Sequence, residues 1–182
     1  MTPFLSIITR HMVTRPRMFQ ICLASLTAQT EQDFEQIVIV DHVGRGVGWA
    51  NQQLAQYQQA VNGDYVLMLD DDDALTVPTA IAQMQAASSE SHADVIIFRG
   101  LHGSNGLLPD NTFWGREPAI GHISGQDLIV RRAIWQRHIS AMPATYAADF
   151  NFIAAVWAGG YPVHWLDAVL VGQQRVSHGA PE

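Results

Sequence analysis

Lysine does not occur in this chain; all 10 of its basic residues are arginine. A mechanism built on a lysine Schiff base, or on the lysine of a phosphate-binding P-loop, is therefore excluded. Cysteine is almost as scarce. Cys22 stands alone, which rules out an intrachain disulfide and a cysteine-based zinc site. Its place in an apolar helical pattern marks it as core. No stretch approaches the roughly 20 apolar residues of a membrane span. The opening Met1-Thr2-Pro3-Phe4 lacks the basic and then apolar character of a signal peptide. The expected setting is reducing and cytoplasmic. Positive charge is short overall: the net charge is -7. That argues against a nucleic-acid binder, which needs a basic surface to neutralise phosphates. A nucleotide ligand stays open, because a metal ion supplies positive charge locally.

What is present is an ordinary globular balance, with 48% hydrophobic and 15% charged residues. The length of 182 residues suits one domain with a full hydrophobic core. The runs Phe4 to Thr9, Gln36 to Val40, Tyr65 to Leu69 and Asp94 to Phe98 read as buried strands. Between them, Pro16 to Gln29, Val47 to Ala60 and Pro78 to about Ala87 read as helices, with Pro16 suited to a first helical turn. Gly44 to Gly48 is a glycine-rich loop, and Gly100 to Gly121 reads as an irregular hairpin or long loop. Leu128 to Arg137 holds a short strand and a helical turn. Ala147 to Ala158 reads as a helix closed by Gly159-Gly160, with late strands at Pro162 to Leu166 and Ala168 to Val171.

Alternating strands and helices in the first half imply right-handed crossovers and a parallel sheet. Ligands of such sheets sit beyond the carboxyl ends of the strands. Asp41 and Asp70 both occupy such ends and are expected to face one crevice. Asp70 opens a run of four aspartates, Asp70 to Asp73. Adjacent carboxylates repel one another, so stability alone does not explain their place behind a buried strand. A hard divalent cation, Mg2+ or Mn2+, reverses that cost because it prefers oxygen ligands and retains substrate phosphates in its shell. The plainer reading is a solvated acidic turn.

The segment Tyr65-Val66-Leu67-Met68-Leu69-Asp70-Asp71-Asp72-Asp73 resembles the D-x-D segment of GT-A fold glycosyltransferases, specifically the large, mainly inverting family 2. Ser6-Ile7-Ile8-Thr9-Arg10 with Arg15-Pro16 is similar to that family's first strand and loop, and Leu23-Ala24-Ser25-Leu26 with Gln29-Thr30 to its first helix. Asp33-Phe34-Glu35 leads into the second strand in the same manner. The match is dense over roughly residues 4–87 and sparse beyond. The resemblance implies an α/β GT-A fold, a mostly parallel central sheet flanked by helices. Residues 1–182 would form a single domain, with a nucleotide-sugar-binding half over about 1–99 and an acceptor-side half over about 100–182.

The resemblance also implies roles. Asp41 falls on the family's nucleobase-binding acid, with Val40 in place of the usual acid before it. Uracil and guanine both offer donors to such a carboxylate, and a UDP-sugar is the favoured donor. Thr9 and Arg10 end the first strand and are expected at the nucleotide, Arg10 facing a phosphate; a surface ion pair is the alternative for Arg10. Asp70 and Asp71 are expected on the nucleotide sugar, and Asp70 and Asp72 on the metal. The spacing to Pro78 would suit Asp71 and Asp73 instead; the fit of the Tyr65 to Leu69 strand favours Asp70 and Asp72.

Asp149 resembles the family's general base at the start of a late helix, although Ala148 replaces the usual Glu before it. An ordinary acid near a helix N-terminus is the plainer reading. His178, in Arg175-Val176-Ser177-His178, is similar to a C-terminal Arg-x-His metal ligand with one residue more of spacing; a tail histidine without a role is the alternative. His11, His102, His122 and His164 carry no ligand spacing and are read as structural or exposed. Trp114 sits in a glycine-containing loop expected to cover the acceptor, either stacking on a sugar or packing beneath the loop.

The implied activity is metal-dependent transfer of a sugar from a nucleoside diphosphate to a hydroxyl of a saccharide or other acceptor, with inversion. A homo-oligomer is left open. Competing readings are a degenerate GT-A-like binding module without turnover and a nucleotidyltransferase, which normally carries a glycine-rich phosphate loop where Thr9 to Arg15 has no glycine. A response-regulator-like domain is disfavoured by the missing lysine.

Overall fold

The computed structural model describes residues 2–142 and 148–174; His178 lies outside them. The chain opens with β1 (Leu5–Met12), α1 (Pro16–Thr27), β2 (Phe34–Asp41), α2 (Val47–Gln56) and β3 (Tyr65–Met68). Then come β4 (Asp73–Leu75), α3 (Ala80–Ser91), β5 (Val95–His102), β6 (Gly106–Leu108), β7 (Leu128–Arg131), α4 (Arg132–His138), α5 (Ala148–Ala158) and β8 (Val163–Gln173). All the strands join one 8-stranded sheet in the order β2-β1-β3-β7-β5-β8-β4, with β6 on the side of β5. Strands β1, β2, β3, β5 and β8 run one way; β4, β6 and β7 run against them. No helix among the described residues is long and apolar enough to cross a membrane.

Side chains of a strand alternate between the faces of its sheet, and here both faces are covered. Leu5, Ile7, Leu67, Ile96 and Phe98 pack under α1 and α3. Their neighbours Ile8, Val66, Met68, Val95 and Ile97 pack on the opposite face, under α2, α4 and α5. Double coverage is why these strands read as continuous apolar runs rather than alternating ones. Helix α1 starts with Pro16, whose absent N–H costs nothing there. It buries Met18, Cys22 and Leu26, one stripe at four-residue spacing. Burial pushes the Cys22 thiol up to about 12, so this lone cysteine is an inert part of the core.

Several boundaries differ from the sequence reading. The helix expected over Val47 to Ala60 ends at Gln56 and tightens into a 3-10 turn, Tyr57–Gln59. Strand β5 runs on to His102 and folds back as a hairpin with β6, so of the hairpin or loop expected from Gly100 its first part is the hairpin. The two late strands are one strand, β8, whose pairing with β5 shifts register around Arg99. Asp73, expected in a loop, starts β4, which pairs with the end of β8. The sheet also takes in antiparallel β7 between β3 and β5. The carboxyl ends of β1, β3 and β5 and the amino end of β7 therefore meet at one edge, where a parallel α/β sheet opens its ligand crevice.

Candidate active site

A cleft of about 580 Å³ lies at that edge. It is walled by the end of β1, the aspartate run after β3, the start of α2, the turn before β7 and the start of α5. The aspartate run is a tight turn in which the Asp73 N–H donates to the Asp70 carbonyl at 3.0 Å. The turn gathers Asp70, Asp72 and Asp73, whose nearest carboxylate oxygens all lie within 4.8 Å of one another. Asp71 points elsewhere. It accepts hydrogen bonds from the Met12 N–H at 2.8 Å and Arg15 Nη1 at 3.1 Å, and meets His11 Nδ1 at 3.0 Å. Asp71 thus fastens the turn to the loop after β1.

The remaining carboxylates are set against one another. Burial first, then the neighbouring Asp70, pushes the Asp72 carboxyl up to about 6, against the pull of Arg15. Asp73 is held well above the ordinary carboxylate range by burial, Asp72 and Asp70. Arg10 offsets part of this charge. Its Nε donates to Asp70 Oδ1 at 2.7 Å and its Nη2 to Asp70 Oδ2 at 2.5 Å, while Nη1 donates to the Asn51 side-chain oxygen. Burial works against the Arg10 charge, but Asp70, with Asp149 and Asp73 beyond it, outweighs burial and raises its pKa. The donor set, oxygen only and crowded with negative charge, fits a hard divalent cation such as Mg2+ or Mn2+.

Across the cleft, Asp149 sits in the first turn of α5. Its Oδ1 accepts from the Phe150 N–H at 2.8 Å; its Oδ2 accepts from the Gly125 N–H at 3.3 Å and lies 3.2 Å from the Ser124 hydroxyl. Gln126 of the same turn donates from Nε2 to Asp73 Oδ1 at 2.9 Å.

No protein-family model matches the chain, and no curated protein matches it by sequence. Solved structures do match. TarS of S. aureus aligns with a TM-score of 0.73 over 94% of this chain and 36% of its own, at 16% identity. TarS 1-349 in complex with UDP-GlcNAc aligns at 0.65 over 96% of this chain and 60% of its own, also at 16% identity. The mannosyltransferase PcManGT from Pyrobaculum calidifontis, in complex with GDP-Man and Mn2+, aligns at 0.65 over 95% and 57%, at 13% identity. The chain has the GT-A fold. It spans between 36% and 60% of the length of these three chains.

Within this GT-A fold, Arg10, Asp41, Asp70, Asp71, Asp72 and Asp149 all line the cleft. Thr9 does not: its hydroxyl accepts from Gln36 Nε2 at 2.9 Å, on the α1 side of the sheet. Asp41 reaches the cleft, but its oxygens accept the N–H groups of Val43, Gly44 and Arg45. Burial would raise its pKa; those backbone donors and the Arg45 charge outweigh it and hold it low. Asp41 therefore shapes the loop entering α2. Trp114 is packed rather than open, with Arg99 4.0 Å over its ring and Trp165 edge-on at 5.0 Å.

The sequence reading held Asp73 only in the alternative register, quoted Arg15 only as part of a loop, read His102 as structural or exposed, and gave no role to Asn51, Gln126 or Asp127, which is buried against His102. A signal for the last existed. Ser124 three residues before Asp127 is a helix-start pattern, and the two do form a reciprocal capping box.

Proposed function

We propose that this chain binds a nucleoside diphosphate sugar and transfers its sugar, with inversion, to an acceptor hydroxyl, using a divalent metal. One observation carries the reading: Asp70, Asp72 and Asp73 converge within 4.8 Å in a cleft whose other wall presents Asp149. The GT-A fold supports it, as do the UDP-GlcNAc and the GDP-Man with Mn2+ held by TarS 1-349 and PcManGT. A metal held by Asp70, Asp72 and Asp73 supplies Lewis-acid stabilisation of the charge that grows on the leaving diphosphate.

The chain's own residues do the rest. Arg10 and Arg15 offset the carboxylate charge, so that an anionic donor is not repelled. Asp149 accepts the proton of the acceptor hydroxyl as that oxygen bonds to the anomeric carbon. The bond from that carbon to the diphosphate breaks, its electron pair leaves with the diphosphate, and the product carries the opposite anomeric configuration. The favoured donor is a UDP-sugar and the acceptor a saccharide or other hydroxyl compound.

Calorimetry with UDP and with GDP, each in Mn2+ or in EDTA, tests the reading on wild type and Asp72→Ala. The expected result is Mn2+-dependent binding of one nucleotide that weakens at least about tenfold in the variant, the lower range for loss around a metal site. A folded wild type that binds neither nucleotide in Mn2+ overturns it. Tight Mn2+-dependent binding without sugar transfer to water or to any tested acceptor would instead indicate a binding module that has lost turnover.

A further inference from the structure

The turn entering β7 touches both walls of the cleft. Gln126, buried, donates from Nε2 to Asp73 Oδ1 at 2.9 Å, and its Oε1 lies 2.8 Å from the Ser124 hydroxyl. That hydroxyl also lies 3.2 Å from Asp149 Oδ2, which the Gly125 N–H meets at 3.3 Å. We propose that the Ser124–Asp127 turn is the positioning element of the reaction centre, with Gln126 orienting Asp73 for the metal and Ser124 orienting Asp149 for the acceptor. This rests on the transferase reading above.

The turn is held from below. Asp127 is fully buried; its Oδ2 accepts the Ser124 N–H at 2.8 Å and its Oδ1 meets His102 Nε2 at 2.7 Å. There is no slack around that pair. A Cβ at Gly100 would stand 2.3 Å from Asp127 Oδ1 and 2.7 Å from His102 Nε2, closer than such atoms approach. The turn is thus fixed to β5.

Hydroxyl chemistry explains why serine suits this place. Its oxygen accepts the Asp127 N–H of the capping box and keeps one lone pair and one proton. Its one proton lies between Gln126 Oε1 at 2.8 Å and Asp149 Oδ2 at 3.2 Å, so the hydroxyl ties the plane of the Asp149 carboxylate to the glutamine that holds Asp73. On the other side, the Gln126 amide occupies one lone pair of Asp73 Oδ1 and fixes the carboxylate plane, the function of outer partners around metal ligands.

Gln126→Met keeps the volume and removes the amide. Mn2+ titration followed by electron paramagnetic resonance should show affinity for Mn2+ weakened about tenfold or more, the usual loss when an outer partner is removed. Ser124→Ala should bind Mn2+ and nucleotide like wild type, yet transfer sugar from its donor to water with kcat lowered about tenfold, KM unchanged, and Ser124→Thr restoring the rate. Should Gln126→Met not fold, Gln126→Ala carries the same Mn2+ titration, because it removes the amide donor without adding a ligand or a charge. Wild-type Mn2+ affinity in the Gln126 variant, or wild-type kcat in Ser124→Ala, overturns the inference while leaving the transferase reading intact. A wild type that binds no Mn2+ and no nucleotide overturns both.

Discussion

Arg10 clamps Asp70 with two parallel hydrogen bonds, Nε to Oδ1 at 2.7 Å and Nη2 to Oδ2 at 2.5 Å, in the middle of a group of carboxylates that repel one another. The guanidinium is the nearest balance for the charge of Asp70. Replacing it in Arg10→Gln keeps an amide donor and removes the charge. In EDTA the variant should lose about 2 kcal/mol of stability by urea unfolding, less than the 3–5 of a fully buried pair because both partners keep some solvent contact. Saturating Mn2+ should recover much of that loss, since the ion supplies the missing charge and binds only the folded chain. Equal stability of wild type and variant in EDTA would show that the clamp does not balance the site.

The acidity of the site gives the metal-free protein an unusual pH dependence. Asp72 is pushed up to about 6 and Asp73 well above the ordinary range, by burial first and neighbouring carboxylates second. A carboxyl whose pKa is raised by folding binds more protons folded than unfolded, so stability falls as pH rises. For Asp72 the window runs from the unfolded value near 4 to about 6, and the cost above it is about 3 kcal/mol at 1.36 kcal/mol per pH unit. In EDTA, urea midpoints should therefore rise as pH is lowered from 7.5 to 5. Metal binding requires the ionised forms, so Mn2+ affinity should move the opposite way and drop steeply across the same range. Midpoints in EDTA that fall on acidification would contradict the burial of these groups.

Much of this site was legible because the signals were local. A run of aspartates behind the apolar run Tyr65 to Leu69 announces a strand end, and Asp149 ahead of Phe150 to Ala158 announces a helix start; both reach the cleft. Side-chain direction was harder to read. Arg10 and Thr9 are neighbours on β1, and neighbours on a strand face opposite ways; with Arg10 in the cleft, Thr9 is turned to Gln36. The choice between Asp70 with Asp72 and Asp71 with Asp73 rested on motif register, through the fit of the Tyr65 to Leu69 strand and the spacing to Pro78. Register does not give side-chain direction inside a tight turn, which groups Asp70, Asp72 and Asp73 while sending Asp71 to Arg15. Gln126 left no trace, because its partner Asp73 is distant in sequence, and Asp127 left only the Ser124 spacing of its capping box, because its partner His102 lies 25 residues away.

Asp149 accepts twice on Oδ2, at 3.2 and 3.3 Å, and once on Oδ1, at 2.8 Å, so Oδ1 retains a lone pair for an incoming proton. Asn at this position keeps the size and one acceptor oxygen but takes up no proton. Asp149→Asn should therefore bind Mn2+ and nucleotide within about twofold of wild type, while transfer of sugar, to water or to an acceptor, falls by about 10²–10⁴, the usual contribution of a positioned base. The separation of the two effects is what identifies a base. A variant that loses nucleotide binding along with turnover would place Asp149 among the groups that hold the donor, and one that turns over at the wild-type rate would remove it from the chemistry.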